Sequence, residues 1–172
     1  GGAVVMNAGS MGAAMADRLL WVDWLMPDGN TRRTMRSELD FSYRRLARPA
    51  GAAVVGCGVR LTPEDPRAIR ERIVKGLKWR RQRQPLAYPS AGSVFKNPPG
   101  DHAGRLIEAA GLKGEMRGDA QISEIHANFI VNRGRALSRD VTALIELAKE
   151  RVRETAGVEL ELEIETIGKE LP

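Results

Sequence analysis

Residues 138–165 read SRDVTALIELAKERVRETAGVELELEIE, and within them the spacing of apolar side chains changes once. Up to Ala156, the residues Val141, Leu144, Ile145, Ala148 and Val152 recur at intervals of three and four, the period of a helix with one buried face. Ser138 stands where a capping hydroxyl belongs, and Ala156-Gly157 supplies a stop. From Val158 the interval drops to two. Val158, Leu160, Leu162 and Ile164 alternate with Glu159, Glu161, Glu163 and Glu165, which predicts a strand with all four carboxylates on one side. Such a face is either solvated, or gives up one carboxylate to a cleft beside a cation, because adjacent like charges repel. A helix followed at once by a strand places this part of the chain in the α+β class.

The stretch just upstream extends the same module. Asp101 can cap a helix with Leu106, Ile107 and Ala110 as apolar positions and Gly111 as its stop. Strands are predicted around Gln121–Ser123 and Asn128–Asn132. A glycine- and proline-rich segment, Tyr88 to Gly100, precedes them and puts a domain boundary near residue 86, giving domains of residues 1–85 and 86–172. In the first, Leu20–Met26 and Thr31–Met35 flank the turn Pro27-Asp28-Gly29-Asn30 and form a β-hairpin. Ser37–Asp40 reads as a short capped helical turn. Ala53–Leu61 is a valine-rich strand that holds Cys57 as a small buried thiol. Thr62-Pro63-Glu64-Asp65 predicts a helix start, with the helix running to Arg83 and burying Ile69, Ile73 and Leu77. Its other positions include Arg67, Arg70, Arg72, Lys75, Lys78, Arg80, Arg81 and Arg83 against the single Glu71, so this helix is more positive than the whole chain, whose net charge is +5.

The 172 residues fit one domain or two small ones, and 42% apolar with 28% charged residues is enough to build a core. No apolar run approaches the roughly 18 residues that span a bilayer. One cysteine and two histidines exclude a disulfide framework and give no zinc-ligand spacing, so a reducing compartment and no metal are expected.

Two segments can carry chemistry. Gly1-Gly2-Ala3-Val4-Val5-Met6-Asn7-Ala8-Gly9 combines glycines with an amide, so its backbone can approach a phosphate or a flat cofactor, or it is a plain loop. Ser90-Ala91-Gly92-Ser93-Val94-Phe95-Lys96-Asn97-Pro98 places a serine, a lysine and an amide in one loop. It lacks the GxSxG elbow and a neighbouring His–acid pair, so Ser93 is either part of a polar turn or a neutral hydroxyl donor rather than an acyl-transfer nucleophile. His126, before an apolar strand, reads as structural on spacing alone.

Taken in order, these segments together with Phe41-Ser42-Tyr43-Arg44, Gly104-Arg105-Leu106-Ile107, Ala120-Gln121-Ile122-Ser123 and His126-Ala127-Asn128-Phe129-Ile130-Val131-Asn132 closely resemble the UDP-N-acetylenolpyruvoylglucosamine reductases, flavoenzymes of peptidoglycan precursor synthesis. The likeness runs from Gly1 to about Gly168. It implies that residues 1–85 are the remainder of a mixed α/β flavin-binding domain, that 86–172 form a small α+β substrate-binding domain, and that most FAD contacts lie in a further N-terminal domain missing from this chain. It also implies a cytoplasmic enzyme in which NADPH reduces FAD and hydride then passes to the enolpyruvyl double bond of a UDP-sugar, with the fragment inactive alone.

Residue by residue, the resemblance makes Arg44, Ser93 and Glu163 catalytic: Arg44 for the substrate carboxylate, Ser93 as proton donor, Glu163 to orient the hydroxyl or assist protonation. Tyr43, Asn97 and His126 match substrate contacts. Gly1, Gly2, Asn7 and Gly9 match the part of the flavin site this domain contributes. Met11 and the pair Arg45-Leu46 depart from the pattern, the first at a position where many members carry tyrosine. Two other readings compete. One is a nucleic-acid-binding module built on the basic helix 67–83, although no recognised motif accompanies it and only weak, sequence-blind association is expected. The other is a non-catalytic remnant, against which the joint presence of Arg44, Ser93 and Glu163 argues.

Overall fold

The computed structural model describes residues 1–168 apart from Met11, so the departure at Met11 lies outside the described residues. Two compact units divide the chain, Gly1–Asp65 and Pro66–Pro172.

The first unit opens with the short helix α1 (Gly2–Val5) and a small hairpin of β1 (Gly9–Ser10) and β2 (Ala13–Ala14). The predicted long hairpin forms as β3 (Leu19–Leu25) and β4 (Thr31–Met35). Gly29, at φ +83°, makes the turn, and Asp28 Oδ1 accepts the Asn30 N–H at 3.0 Å. A 3-10 turn follows at Arg36–Glu38, where the helical turn was expected. A second tight hairpin, β5 (Phe41–Ser42) and β6 (Arg45–Leu46), then leads to β7 (Ala53–Val59). The sheet order is β4-β3-β7, antiparallel throughout. One face buries Val22 and Trp24 with Val4, Leu19, Leu39, Leu46 and Ala52. Trp24 Nε1 donates to Thr34 Oγ1 at 3.1 Å, which satisfies the buried indole. Trp21 points the other way and lies so close over Gly58 that a Cβ there would come 2.4 Å from its Nε1. Cys57 sits in β7 as expected but is exposed rather than buried.

The second unit begins with α2 (Pro66–Arg83). It starts after, not within, Thr62–Asp65: Pro66 takes the first helical position, and a proline biases the residue before it out of helical geometry. The expected buried stripe is not seen. No α2 side chain is buried, and Ile73 and Leu77 are both more than half exposed. A four-stranded antiparallel sheet follows in the order β8-β11-β10-β9, made by β8 (Ser90–Ser93), β9 (Met116–Arg117), β10 (Ala120–Ile122) and β11 (Phe129–Asn132). The helix α3 (Ala103–Ala109) and the long α4 (Ser138–Ala156) complete the unit, α4 packing on β9, β10 and α3.

The stripe read from α4 is the core: Leu144, Ile145, Ala148 and Val152 are buried with Phe95, Leu106, Ile107, Ile122 and Ile130. Gly157 ends α4 at φ +66°. At the other end the cap differs from expectation. Ser138 lies inside the helix, and Asp140 Oδ2 takes the Leu137 N–H at 2.9 Å instead. Asp101 likewise does not cap α3 from the expected position; its carboxylate takes the His102 N–H at 2.7 Å, while Asn97 Oδ1 takes the Ala103 N–H at 3.1 Å.

The alternating tail does not form a regular strand. It makes one antiparallel bridge, Leu162 opposite Phe95, because only Val94–Lys96 is available to pair with it. The alternation persists as burial: Leu160 is buried and Leu162 and Ile164 half-buried, while Glu159, Glu161 and Glu165 are exposed. Among the four glutamates Glu163 alone is half-buried. No described helix is long and apolar enough to cross a membrane.

Candidate active site

The residues singled out in the sequence fall into two groups, one in each unit. In the first, Tyr43 and Arg44 form the two-residue turn between β5 and β6. Arg44 has φ +56°, in the left-handed region where a Cβ crowds the following carbonyl. Glycine or asparagine usually fills such a turn position. A large side chain held there carries strain of about 1–3 kcal/mol, which the surrounding contacts must offset. The guanidinium reaches towards Gly9, where a Cβ would stand 3.2 Å from Arg44 Nη1, and its carbon lies 5.4 Å from the Tyr43 ring centre. The other described non-glycine residue at positive φ is Asn7, at +44°. Its Nδ2 donates to Ser42 C=O at 3.1 Å and its Oδ1 accepts Ala16 N–H at 3.0 Å. Backbone strain thus collects at one end of this unit, where α1, β1 and the β5–β6 turn meet. Nothing in the order of residues announced it, since neither position holds a glycine.

The same place bears on a flat cofactor. Gly2 has open space where its Cβ would be, and Arg44 stands beside Gly9. A glycine edge with one guanidinium fits the rim of a flavin site. Both ends of the Asn7 carboxamide already bond the protein, so its visible work is to tie the loop after α1 to Ser42 of β5 and to Ala16.

In the second unit the serine loop is held from both sides. Ser93 pairs with Phe129 across β8 and β11. Glu163 N–H donates to Val94 C=O at 2.8 Å, so the half-buried glutamate lies alongside the residue after Ser93. Lys96 forms an ion pair with Glu161 and donates its N–H to Glu161 C=O at 2.8 Å. Asn97 is exposed and serves as the α3 cap described above. Arg105 pairs with Asp101, whose carboxyl its guanidinium holds down at about 2.

His126 lies edge-on to Phe129, ring centres 5.0 Å apart. Its Nδ1 accepts the Asn128 N–H at 3.2 Å, which leaves Nε2 as the protonated nitrogen of the neutral ring. Burial, helped by the charge of Lys113, keeps the imidazole below its ordinary pKa and therefore neutral at pH 7. Gly104 makes this placement possible: a Cβ there would come within 2.9 Å of His126 Cε1. Sequence reading missed Asn128. Its 4% exposure and bonds to Phe95 through both ends of its carboxamide became visible only when the loop had a partner.

Residues 84–167 match the family model for the UDP-N-acetylenolpyruvoylglucosamine reductase C-terminal domain. The reductase of Moorella thermoacetica is 48% identical over 171 residues, 99% of this chain and 57% of the relative. That of Heliobacterium modesticaldum is 50% identical over 171 residues, 98% of this chain and 54% of the relative. Among solved structures, the crystal structure of the UDP-N-acetylenolpyruvylglucosamine reductase from Thermus caldophilus superposes with a TM-score of 0.83 at 42% identity, covering 96% of this chain and 59% of that one. The chain therefore spans little more than half the length of these relatives.

Proposed function

The chain belongs to the UDP-N-acetylenolpyruvoylglucosamine reductase family, and from that premise we propose that it is the substrate-side portion of such an enzyme, acting on the enolpyruvyl group of a UDP-sugar. The observation that carries this reading is the serine loop, which holds Ser93 in register on a sheet with Glu163 alongside the next residue. FAD with NADPH supplies a hydride when bound.

Addition of hydride to C3 of the enolpyruvyl double bond leaves an electron pair at C2, spread into the adjacent carboxylate. Arg44 holds that carboxylate through its planar fork and stabilises the developing charge. Ser93 delivers the proton to C2, so the double bond gains one hydride and one proton and becomes the lactyl ether of UDP-N-acetylmuramate. The resulting alkoxide is reprotonated from solvent. Glu163 orients the Ser93 hydroxyl. His126 offers Nε2–H as a neutral donor to substrate, and Tyr43 and Asn97 line the sugar path. Gly1, Gly2, Asn7 and Gly9 form the edge of the flavin site, with residue 86 as the functional boundary between the flavin and substrate portions.

Titration calorimetry of the 172-residue chain with UDP-N-acetylglucosamine enolpyruvate, with UDP-N-acetylglucosamine as the comparison, tests the reading. The expected result is saturable binding that is stronger with the enolpyruvyl group and weakened by Arg44→Ala. Equal affinity for both sugars, or for neither, would overturn it. The purified chain is expected to be colourless and without turnover by itself, since binding free energy is lost with the contacts that lie elsewhere in the longer relatives.

A further inference from the structure

The hydrogen bonds around residues 93–96 contain a substitution of side chain for strand. β8 pairs with β11 only as far as Ser93 opposite Phe129. The residues before Phe129, His126–Asn128, form a turn instead of continuing the strand, closed by Phe129 N–H to His126 C=O at 3.0 Å. Phe95 would then lack a backbone partner on that edge. The Asn128 carboxamide takes the vacant place: Oδ1 accepts Phe95 N–H at 2.9 Å and Nδ2 donates to Phe95 C=O at 2.8 Å. The backbone C=O of Asn128 accepts Val94 N–H at 2.8 Å. A primary amide carries the same donor and acceptor as a peptide unit, so this side chain works as a single rung of sheet. On the opposite edge, Val94 C=O and Lys96 N–H bond Glu163 and Glu161.

We propose that Asn128 is a positioning residue: its carboxamide locks Val94–Lys96 between the His126–Phe129 turn and the Glu161–Glu163 segment, and so sets Ser93 and Glu163 relative to each other. The catalytic use of that alignment rests on the roles proposed above for Ser93 and Glu163; the lock itself does not. The chemistry also explains why asparagine is required. An ionised aspartate has no donor for Phe95 C=O, leucine would leave a buried N–H and a buried C=O unsatisfied, and glutamine is one methylene too long for a site that is 4% exposed.

Nuclear magnetic resonance on the isotopically labelled 172-residue chain tests this without ligand. In the wild type, the Asn128 side-chain N–H protons and the Phe95 amide should exchange with solvent slowly. Asn128→Ala should speed Phe95 exchange about tenfold or more and shift the Ser93 and Glu163 amides, while the Leu144 and Ala148 amides of α4 keep their wild-type rates. Asn128→Asp gives a sharper readout. Burial raises its carboxyl pKa above the usual value near 3.9, and the protonated acid can both accept from Phe95 N–H and donate to Phe95 C=O. Its Ser93 and Glu163 resonances should therefore match wild type at low pH and depart as the acid ionises. The ionisable side chains that face this loop, His126, Lys96, Glu161 and Glu163, are present in the wild type as well, so the wild-type spectra at each pH provide the baseline.

Freely exchanging Asn128 side-chain protons in the wild type would overturn the proposal, and this measurement stands even if a variant fails to fold. Folded variants with Ser93 and Glu163 resonances unmoved at every pH would overturn it too. The reading of function fails separately, if the enolpyruvyl UDP-sugar leaves those resonances of the wild type in place.

Discussion

Replacing Phe95 by alanine separates the anchoring of the serine loop from its chemistry. The Phe95 side chain is 2% exposed and lies in the cluster with Leu106, Ile107, Ile122, Leu144 and Leu160. It is two residues from Ser93 and bridges Leu162. A phenylalanine buries about 150–250 Å². At roughly 25 cal/mol per Å² that is about 4–6 kcal/mol, an upper bound that agrees with the ~3–5 kcal/mol typical of Phe→Ala in a core. A unit of this size has a total stability of about 5–15 kcal/mol, so the loss is a large share of it. With roughly 4–8 °C per kcal/mol for a domain near 100 residues, the melting temperature should fall by at least about 12 °C. Differential scanning calorimetry measures this, with Val22→Ala, in the core of the first unit, identifying the other transition. Phe95→Leu keeps most of the volume and should cost about 1 kcal/mol. A shift below about 4 °C for Phe95→Ala would refute the reasoning, because the ring would then not be what ties the loop to the core.

Glu163→Gln, in the chain complemented with the upstream half of the Moorella thermoacetica reductase, should slow turnover by about 10²- to 10⁴-fold, whereas Glu159→Gln and Glu161→Gln stay near wild type. Equal effects of all three in the steady-state rate would mean the glutamates act only as a solvated face. The His126 imidazole takes up a proton less readily folded than unfolded, so its contribution to stability is complete above about pH 6.5, falls as pH drops through that value, and levels off below the folded pKa. Urea midpoints between pH 5 and 8 should show that slope in the wild type and lose it in His126→Gln; an unchanged slope would assign the effect to other groups.

The long periodic elements could be read from sequence because their burial is set by local spacing. The α4 stripe and the β3–β4 hairpin need only their own residues to declare themselves, and the structure places both as the pattern demands. The misreadings arise where a distant segment or a competing neighbour decides. The apolar alternation at Val158–Ile164 is consistent with a strand, but a strand needs a partner of equal length, and Val94–Lys96 is too short to be one. The capping preference of Thr62 is outweighed by Pro66. Ser138 falls one position inside α4, where its hydroxyl is not at the cap, and Asp140 takes the Leu137 N–H. Of the candidate site, the serine loop was legible as an unusual loop and acquired its meaning from the family pattern. The left-handed Arg44 and the rung supplied by Asn128 were not legible, because the first is a property of backbone geometry in a turn and the second depends on a segment 33 residues away.

The exposed helix α2 has a consequence for how the molecule can be taken apart. All eighteen of its residues lack a buried side chain, and its last turn holds Arg80, Arg81 and Arg83. A helix so lightly held opens at little free-energy cost, and each opening presents consecutive cleavage points to trypsin. Digestion should therefore sever the chain here before it touches α4, releasing a resistant core that starts near Gln84. That is where the match to the family's C-terminal domain also begins, so the protease and the evolutionary record would cut the polypeptide at the same place.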